Sequence, residues 1–238
     1  MRIEVVPTVE EIRQDHISNH TVVMIDVLRA SSTILTALAN GFEQVIPVET
    51  IGQAYTLRTS QTILAGERHC KKISDFDFNN SPTELAKGNH KGFQLVLTTT
   101  NGTRAIQKAE RSAHLLIGSF LNATACMRVA AEKKLDITLY CAGSRQEFAL
   151  EDGLAAGCMI HKLKTLLPNI QVCDLGEALE ASYLYDADKL PQRLQQTTTG
   201  RRLVQHQFMA DLAFCAQVDL FSIVPVVKER RILPHLVS

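Results

Sequence analysis

Strand-length, largely apolar runs recur along the chain at residues 2–6, 21–25, 45–48, 62–65, 93–98, 115–117 and 137–141. Continuous apolar runs of this length predict strands buried on both faces, as in a parallel sheet. Helix-like stretches separate them. Residues 8–15 carry Glu10 and Glu11 in a first turn, and the stretch after residue 30 closes on Asn40-Gly41, a C-cap pair. Further helices are predicted at 51–59, from the Ser81-Pro82-Thr83-Glu84 capping signal, at 105–109, from Asn122 to 134, and from Asp152 to 167. Strands alternating with helices at this spacing predict an α/β fold of three layers, α/β/α, around a mostly parallel sheet. Right-handed crossovers then set the strand C-terminal ends along one edge, where open α/β sheets bind ligands.

Past Pro168 the pattern is less regular. Residues 177–185 read as a helix, 190–196 as a short helix or loop, and 200–216 as a helix. Residues 221–227, with Pro225, read as a late edge strand. No repeat, low-complexity linker or boundary divides the chain, so residues 1–238 are taken as one domain, with 170–238 as its C-terminal part.

Charge narrows the partners. Lys plus Arg and Asp plus Glu both number 25, so a nucleic-acid or anionic-membrane partner is not expected. Attraction for an anion must instead be local. Six cysteines without a C-x-x-C pair, no membrane-length apolar stretch and no signal-peptide pattern predict a cytoplasmic protein without a zinc site. For an α/β enzyme of this size the base rate favours a homodimer.

The polar clusters follow strands. Thr98-Thr99-Thr100-Asn101-Gly102-Thr103-Arg104 opens a helix after a strand. Free N–H groups there suit a phosphate, sulfonate or carboxylate, Gly102 admits close backbone approach, and Arg104 adds charge. The plainer alternative is a Thr100 or Asn101 helix cap. Asp26-Val27-Leu28-Arg29-Ala30-Ser31-Ser32-Thr33 reads either as a Mg²⁺-ligating Asp beside an anion-binding turn or as an ion pair with a Ser cap. Gly66-Glu67-Arg68 repeats the pairing of an acid with an Arg after a strand, with a surface ion pair of little energetic weight as the alternative.

Other clusters fall short of known signatures. Asp75-Phe76-Asp77-Phe78-Asn79-Asn80 fails as a calcium loop, because Asn80 and Ala86 stand where Gly and Glu are needed. Cys141-Ala142-Gly143-Ser144-Arg145 has too few residues between Cys and Arg for a tyrosine-phosphatase loop, so Cys141 reads as a buried strand-end thiol. Glu151 and Asp152 suit a helix cap, a metal ligand or a general acid. His69, in the polar loop, is the one histidine considered as a proton donor, with a plain surface histidine as the alternative reading. P-loop, dinucleotide and G-x-S-x-G signatures are absent from the sequence.

In order, the 26–33 cluster, Ala65-Gly66-Glu67-Arg68, Asn80-Ser81-Pro82, Thr99-Thr100-Asn101-Gly102-Thr103-Arg104, Gly118-Ser119-Phe120-Leu121-Asn122, Cys141-Ala142-Gly143 and Glu151-Asp152 resemble the 2-phosphosulfolactate phosphatase family. These are Mg²⁺-dependent acid phosphatases of coenzyme M biosynthesis. The likeness is strongest over roughly residues 20–165, and Ser144-Arg145 departs from a Gly-rich continuation. It implies hydrolysis of 2-phosphosulfolactate to 3-sulfolactate and phosphate, with a small anionic substrate as the partner. Under this resemblance Asp26, Glu67 and Asp152 are the Mg²⁺ ligands, and Asp26, Arg104 and Asp152 the catalytic set. Arg104 with Thr100, Asn101, Gly102 and Thr103 holds the phosphoryl group, and Arg29 and Arg68 hold the sulfonate and carboxylate. Ser31, Ser32, Ser119 and Asn122 complete the substrate-binding set. A family member acting on another small phosphorylated acid, or a non-catalytic binder of such anions, are the alternatives.

Overall fold

The computed structural model describes residues 1–236. Its strands are β1 (Arg2–Val6), β2 (His20–Ile25), β3 (Gln44–Pro47), β4 (Thr62–Arg68), β5 (Lys71–Lys72), β6 (Gln94–Thr98), β7 (His114–Gly118), β8 (Asp136–Cys141), β9 (Gln171–Val172), β10 (Ile223–Lys228) and β11 (Arg231–Leu236). All eleven join one sheet in the order β5-β4-β6-β3-β11-β10-β7-β2-β8-β1-β9. The helices are α1 (Ala30–Ala39), α2 (Ile51–Thr56), α3 (Pro82–Leu85), α4 (Gly102–Lys108), α5 (Ala123–Glu132), α6 (Leu150–Leu166), α7 (Asp174–Asp186), α8 (Leu190–Gln196), α9 (Thr198–Gln205) and α10 (Met209–Cys215). One face of the sheet packs α5, α6 and α7 over Val23, Ile25, Leu116 and Leu139, and the other packs α1 and α4 over Val22, Met24 and Ile117. The fold is therefore α/β with helices on both faces. No helix among the described residues is long and apolar enough to cross a membrane.

The sheet is mixed in one informative way. Parallel pairing unites β4, β6 and β3, and separately β7, β2, β8, β1 and β9. The antiparallel hairpin β10–β11 lies between these blocks and pairs antiparallel to each. Three reversals in a row make the two blocks run in opposite directions. Native twist of about 20–25° per strand, accumulated over the six steps from β4 to β2, turns one block by on the order of 120–150° relative to the other. The carboxyl ends of both blocks thus reach one cleft.

Three expectations change. The strand with Pro225 is interior rather than an edge, flanked by β11 and β7. It survives there because Pro225 lies opposite Pro234, and pairing with β7 is confined to Val226 and Val227, beyond the residue without an N–H. Residues 8–15 form turns with a short 3-10 segment at Gln14–His16 instead of a helix. Val9, Ile12 and Ile17 spread over the sheet face, and so short a segment has little helical stability of its own. The helix expected over 200–216 is two helices, broken at Gln207, which adopts φ +65°.

Candidate active site

Asp26 follows the last residue of β2 and is buried. Its Oδ1 accepts the Ala30 N–H at 3.1 Å, and its own N–H donates to Ser31 Oγ at 2.9 Å. The turn 26–31 is thereby closed on itself, and Ser31 serves this turn rather than a ligand. Gly102 begins α4 against the same carboxylate: a Cβ there would stand 2.8 Å from Asp26 Oδ2. Asn101 Nδ2 donates to the Gly143 carbonyl at 2.8 Å, so the turn after β6 is tied to the turn after β8.

Asp152, in the first turn of α6, is 2% exposed. Its Oδ1 accepts the Val27 N–H at 2.8 Å and its Oδ2 the Gly143 N–H at 3.0 Å. Burial, with the charges of Asp26 and Glu151, pushes its carboxyl well above the usual carboxylate range. Burial likewise raises Asp26 to about 7, with Glu67 and Glu151 adding to the effect. Two buried acids that resist ionisation side by side mark a place short of positive charge.

Glu67, next to last in β4, points across to the neighbouring turn. Its Oε1 accepts from Thr100 N–H (3.2 Å) and Thr100 Oγ1 (2.9 Å), and its Oε2 from Cys70 N–H (2.8 Å). Arg29 is 3% exposed, and its Nη1 donates to Asp211 Oδ2 at 2.6 Å while its guanidinium lies 4.2 Å over the Phe208 ring. The other oxygen of Asp211 accepts from Ser81 Oγ, Thr83 Oγ1 and Thr83 N–H. One buried carboxylate thus fastens α10, α3 and Arg29 together.

These elements enclose a cleft of about 140 Å³ whose wall includes Asp26, Arg29, Glu67, Glu151 and Asp152, together with Thr100 and Asn101. His69, Cys70 and Asn80 also face it. Several residues expected in the site lie elsewhere. Arg68 donates to the Glu67 and Glu49 carbonyls and to Thr98 Oγ1, bracing the strand end. Arg104 pairs with Glu10 at 3.4 Å and is absent from the cleft wall. Ser32 and Thr103 donate to backbone carbonyls of Val27 and Thr99. Ser119 and Asn122 build the buried turn after β7, with Asn122 Nδ2 bridging the Ile117 and Ile223 carbonyls. Ser32, Thr103, Ser119 and Asn122 are buried, hydrogen-bond to backbone and are not part of the cleft wall. Cys141, at the end of β8, is buried, and burial with the Asp152 charge holds its thiol well above the ordinary range.

The donor set suits Mg²⁺, a hard cation that prefers oxygen and keeps most of its waters. Asp26 Oδ2 and the Glu151 carboxylate are free of hydrogen bonds from the described residues, and buried Asn80 Oδ1 has no partner. Among the described residues no three acidic, His or Cys side chains form a ready-made metal cage. The arrangement therefore fits an ion held by one or two carboxylates plus substrate and water, rather than the three-carboxylate set Asp26, Glu67 and Asp152.

The C-terminal third supplies wall residues that the motifs did not reveal: Thr199, Arg202 and Leu203, all on α9. The available signal was Thr197-Thr198-Thr199-Gly200-Arg201-Arg202, a second hydroxyl-rich turn leading into a helix with Gly and Arg. A family model described as 2-phosphosulpholactate phosphatase matches residues 6–230. A probable 2-phosphosulfolactate phosphatase of Thermotoga petrophila is 40% identical over 208 residues, covering 86% of this chain and 88% of its own. The proteins of the same description from Caldanaerobacter subterraneus and Symbiobacterium thermophilum are 37% and 36% identical, covering 96% and 92% of this chain and 96% of each relative. With that match running through both strand blocks and α9, the chain belongs to the 2-phosphosulpholactate phosphatase family, whose members are phosphoric monoester hydrolases.

Proposed function

We propose that this protein hydrolyses the phosphate monoester of a small sulfonated hydroxy acid, converting 2-phosphosulfolactate and water to 3-sulfolactate and phosphate, with Mg²⁺ as cofactor. The observation that carries the reading is the pair of buried acids, Asp26 and Asp152, on the wall of a cleft that also presents arginines. Asp26, through its free Oδ2, and Glu151 would hold the ion, with Asp152 beside them bracing the turns at 27 and 143. When bound, Mg²⁺ neutralises phosphoryl oxygens and lowers the pKa of coordinated water. The chain's own part is to position and to exclude: Asp152 draws the 27 and 143 backbones together, and Glu67 fixes the Thr100–Asn101 turn opposite. In the reaction the bond from phosphorus to the ester oxygen breaks and a water oxygen takes its place. His69, on the cleft wall, is the imidazole available to return a proton to the leaving oxygen. Six unpaired thiols suit a reducing cytoplasm, and coenzyme M biosynthesis is the pathway to which this reaction belongs.

The test is phosphate release from 2-phosphosulfolactate and from a panel of small phosphomonoesters, with Mg²⁺ and with EDTA. Mg²⁺-dependent release favouring the sulfonated ester is expected. Release from another phosphorylated acid keeps the chemistry and changes the pathway, and release from none overturns the enzymatic reading.

A further inference from the structure

We infer that Arg202 is the residue that selects for an acidic tail on the substrate, by holding its second anionic group away from the phosphoryl centre. The inference rests on the phosphatase reading for the identity of the substrate, but not for the existence of the subsite.

The cleft is divided in charge. Asp26, Glu67, Glu151 and Asp152 line it from the strand ends and the start of α6. A molecule that brings its phosphate to a cation among those carboxylates cannot lay a second anion against them, since like charges there repel strongly. That group needs a cation on another part of the wall. Arg29 is a poor candidate, because the 2.6 Å contact with buried Asp211 already neutralises it. Arg68 and Arg104 are engaged outside the cleft.

Arg202 differs from all three. It lines the cleft from α9, one turn beyond Thr199, and has no carboxylate within ion-pair distance among the described residues. Its Nη2 donates to a neutral group, Ser144 Oγ, at 2.7 Å, and its Nε to the Thr198 carbonyl at 3.3 Å. Those two bonds aim the guanidinium without cancelling its charge, and they leave donors for a ligand. Ser144 is itself fixed, since its N–H and C=O exchange hydrogen bonds with Glu147 across a tight loop. Arg145, next in that loop, also lines the cleft and adds charge. A planar fork held in this way matches the two-oxygen geometry of a carboxylate or sulfonate.

The experiment measures calorimetric binding of 3-sulfolactate and of lactate to the full-length protein, its Arg202→Met, Arg202→Lys and Ser144→Ala variants, beside kcat/KM for 2-phosphosulfolactate and for glycerol 2-phosphate. Arg202→Met is expected to weaken 3-sulfolactate binding about 10–100-fold, as loss of a charge-assisted hydrogen-bonding partner does. Arg202→Lys should restore part of that loss, and Ser144→Ala should cost about 3–10-fold. The preference for the acidic ester over the neutral-tailed one should shrink about 10–100-fold in Arg202→Met. Binding of 3-sulfolactate that responds to Arg202 while no ester is hydrolysed sustains this inference and removes the phosphatase reading. Wild-type protein that fails to bind 3-sulfolactate, or an Arg202→Met protein that binds it as tightly as wild type, overturns the inference. Equal losses on both esters also overturn it, as they would assign Arg202 to the phosphoryl group or to the scaffold. Thermal melting of each variant checks folding, and Ser144→Ala carries the test if Arg202→Met does not fold.

Discussion

Gly102 faces Asp26 at a separation that leaves no space for a side chain: a Cβ there would stand 2.8 Å from Asp26 Oδ2 and 2.5 Å from the Ala30 Cβ. The contact joins the two strand blocks at the cleft, α4 following β6 of one and Asp26 following β2 of the other. The Ala30 Cβ is fixed to the α1 backbone and the Asp26 carboxylate is held by the Ala30 N–H, so neither can swing aside and Gly102→Ala must push α4 outward. The expected cost is about 1–3 kcal/mol of stability, a melting temperature lower by roughly 3–10 °C, and a fall of at least about 100-fold in kcat/KM. Steady-state kinetics beside a melting curve decides it. A fully active Gly102→Ala enzyme would show that this approach does not shape the centre.

The raised carboxyl of Asp26 makes stability depend on pH. Its folded value of about 7 lies above the ordinary 3.8, so between those values the folded chain holds a proton that the unfolded chain has released. Stability therefore falls as pH rises from about 4 through about 7 and levels off above that. Asp26→Asn removes this penalty while keeping an acceptor for the Ala30 N–H. In EDTA the variant should melt at nearly the wild-type temperature at pH 4.5 and about 5–10 °C higher at pH 8, with activity lost. Millimolar Mg²⁺ should raise the wild-type melting temperature at pH 8 more than that of the variant. Melting temperatures that run parallel across the pH range would refute this linkage.

Much of this was legible in the sequence. The alternation of apolar runs identified the main strands, and capping signals such as Ser81-Pro82-Thr83-Glu84 marked a helix start that the structure contains, Ser81 Oγ accepting the Glu84 N–H. The grouping of Asp26, Glu67, Thr100, Asn101 and Asp152 was also readable, because each follows a strand or opens a helix. What the pattern could not carry was direction. Arg29, Arg68 and Arg104 look alike in sequence, yet one is neutralised by Asp211, one braces backbone and one meets Glu10. Each outcome is fixed by a partner up to 182 residues away, which local pattern does not encode. The reversal between the strand blocks was hidden for the same reason: it is imposed by a hairpin at the far end of the chain, whose Glu229 and Arg230 turn residues both adopt positive φ.

The two ion pairs Arg29–Asp211 and Arg104–Glu10 should behave oppositely. The first is buried, with side chains 2% and 0% exposed, and Asp211 also accepts from Ser81 and Thr83. Asp211→Ala strands a guanidinium and two hydroxyls without their acceptor, and should cost about 3–5 kcal/mol, or roughly 10 °C in melting temperature. The second is largely open to water, and Arg104→Ala should change stability by less than about 0.5 kcal/mol and leave kcat/KM within about threefold. Urea unfolding and initial rates on both variants test the contrast. A severe activity loss in Arg104→Ala would return that residue to the phosphoryl group.

Cys141 is the thiol most open to misreading, because it ends a strand beside Asp152 and precedes a loop with Arg145. A phosphocysteine route needs a thiolate, which is the nucleophilic form. Here burial disfavours that anion, and the Asp152 charge disfavours it further, so the thiol stays protonated at neutral pH. Its side chain instead belongs to the apolar cluster beneath α6, among Leu139, Leu154 and Ala155. Cys141→Ala should therefore retain kcat within about threefold while losing about 1 kcal/mol of stability from the space the sulfur filled. Iodoacetamide at pH 7.5 should leave Cys141 unmodified in the folded protein, as peptide mass mapping would report. Inactivation of the enzyme in step with alkylation at Cys141 would reverse this assignment and make the thiol a participant in phosphoryl transfer.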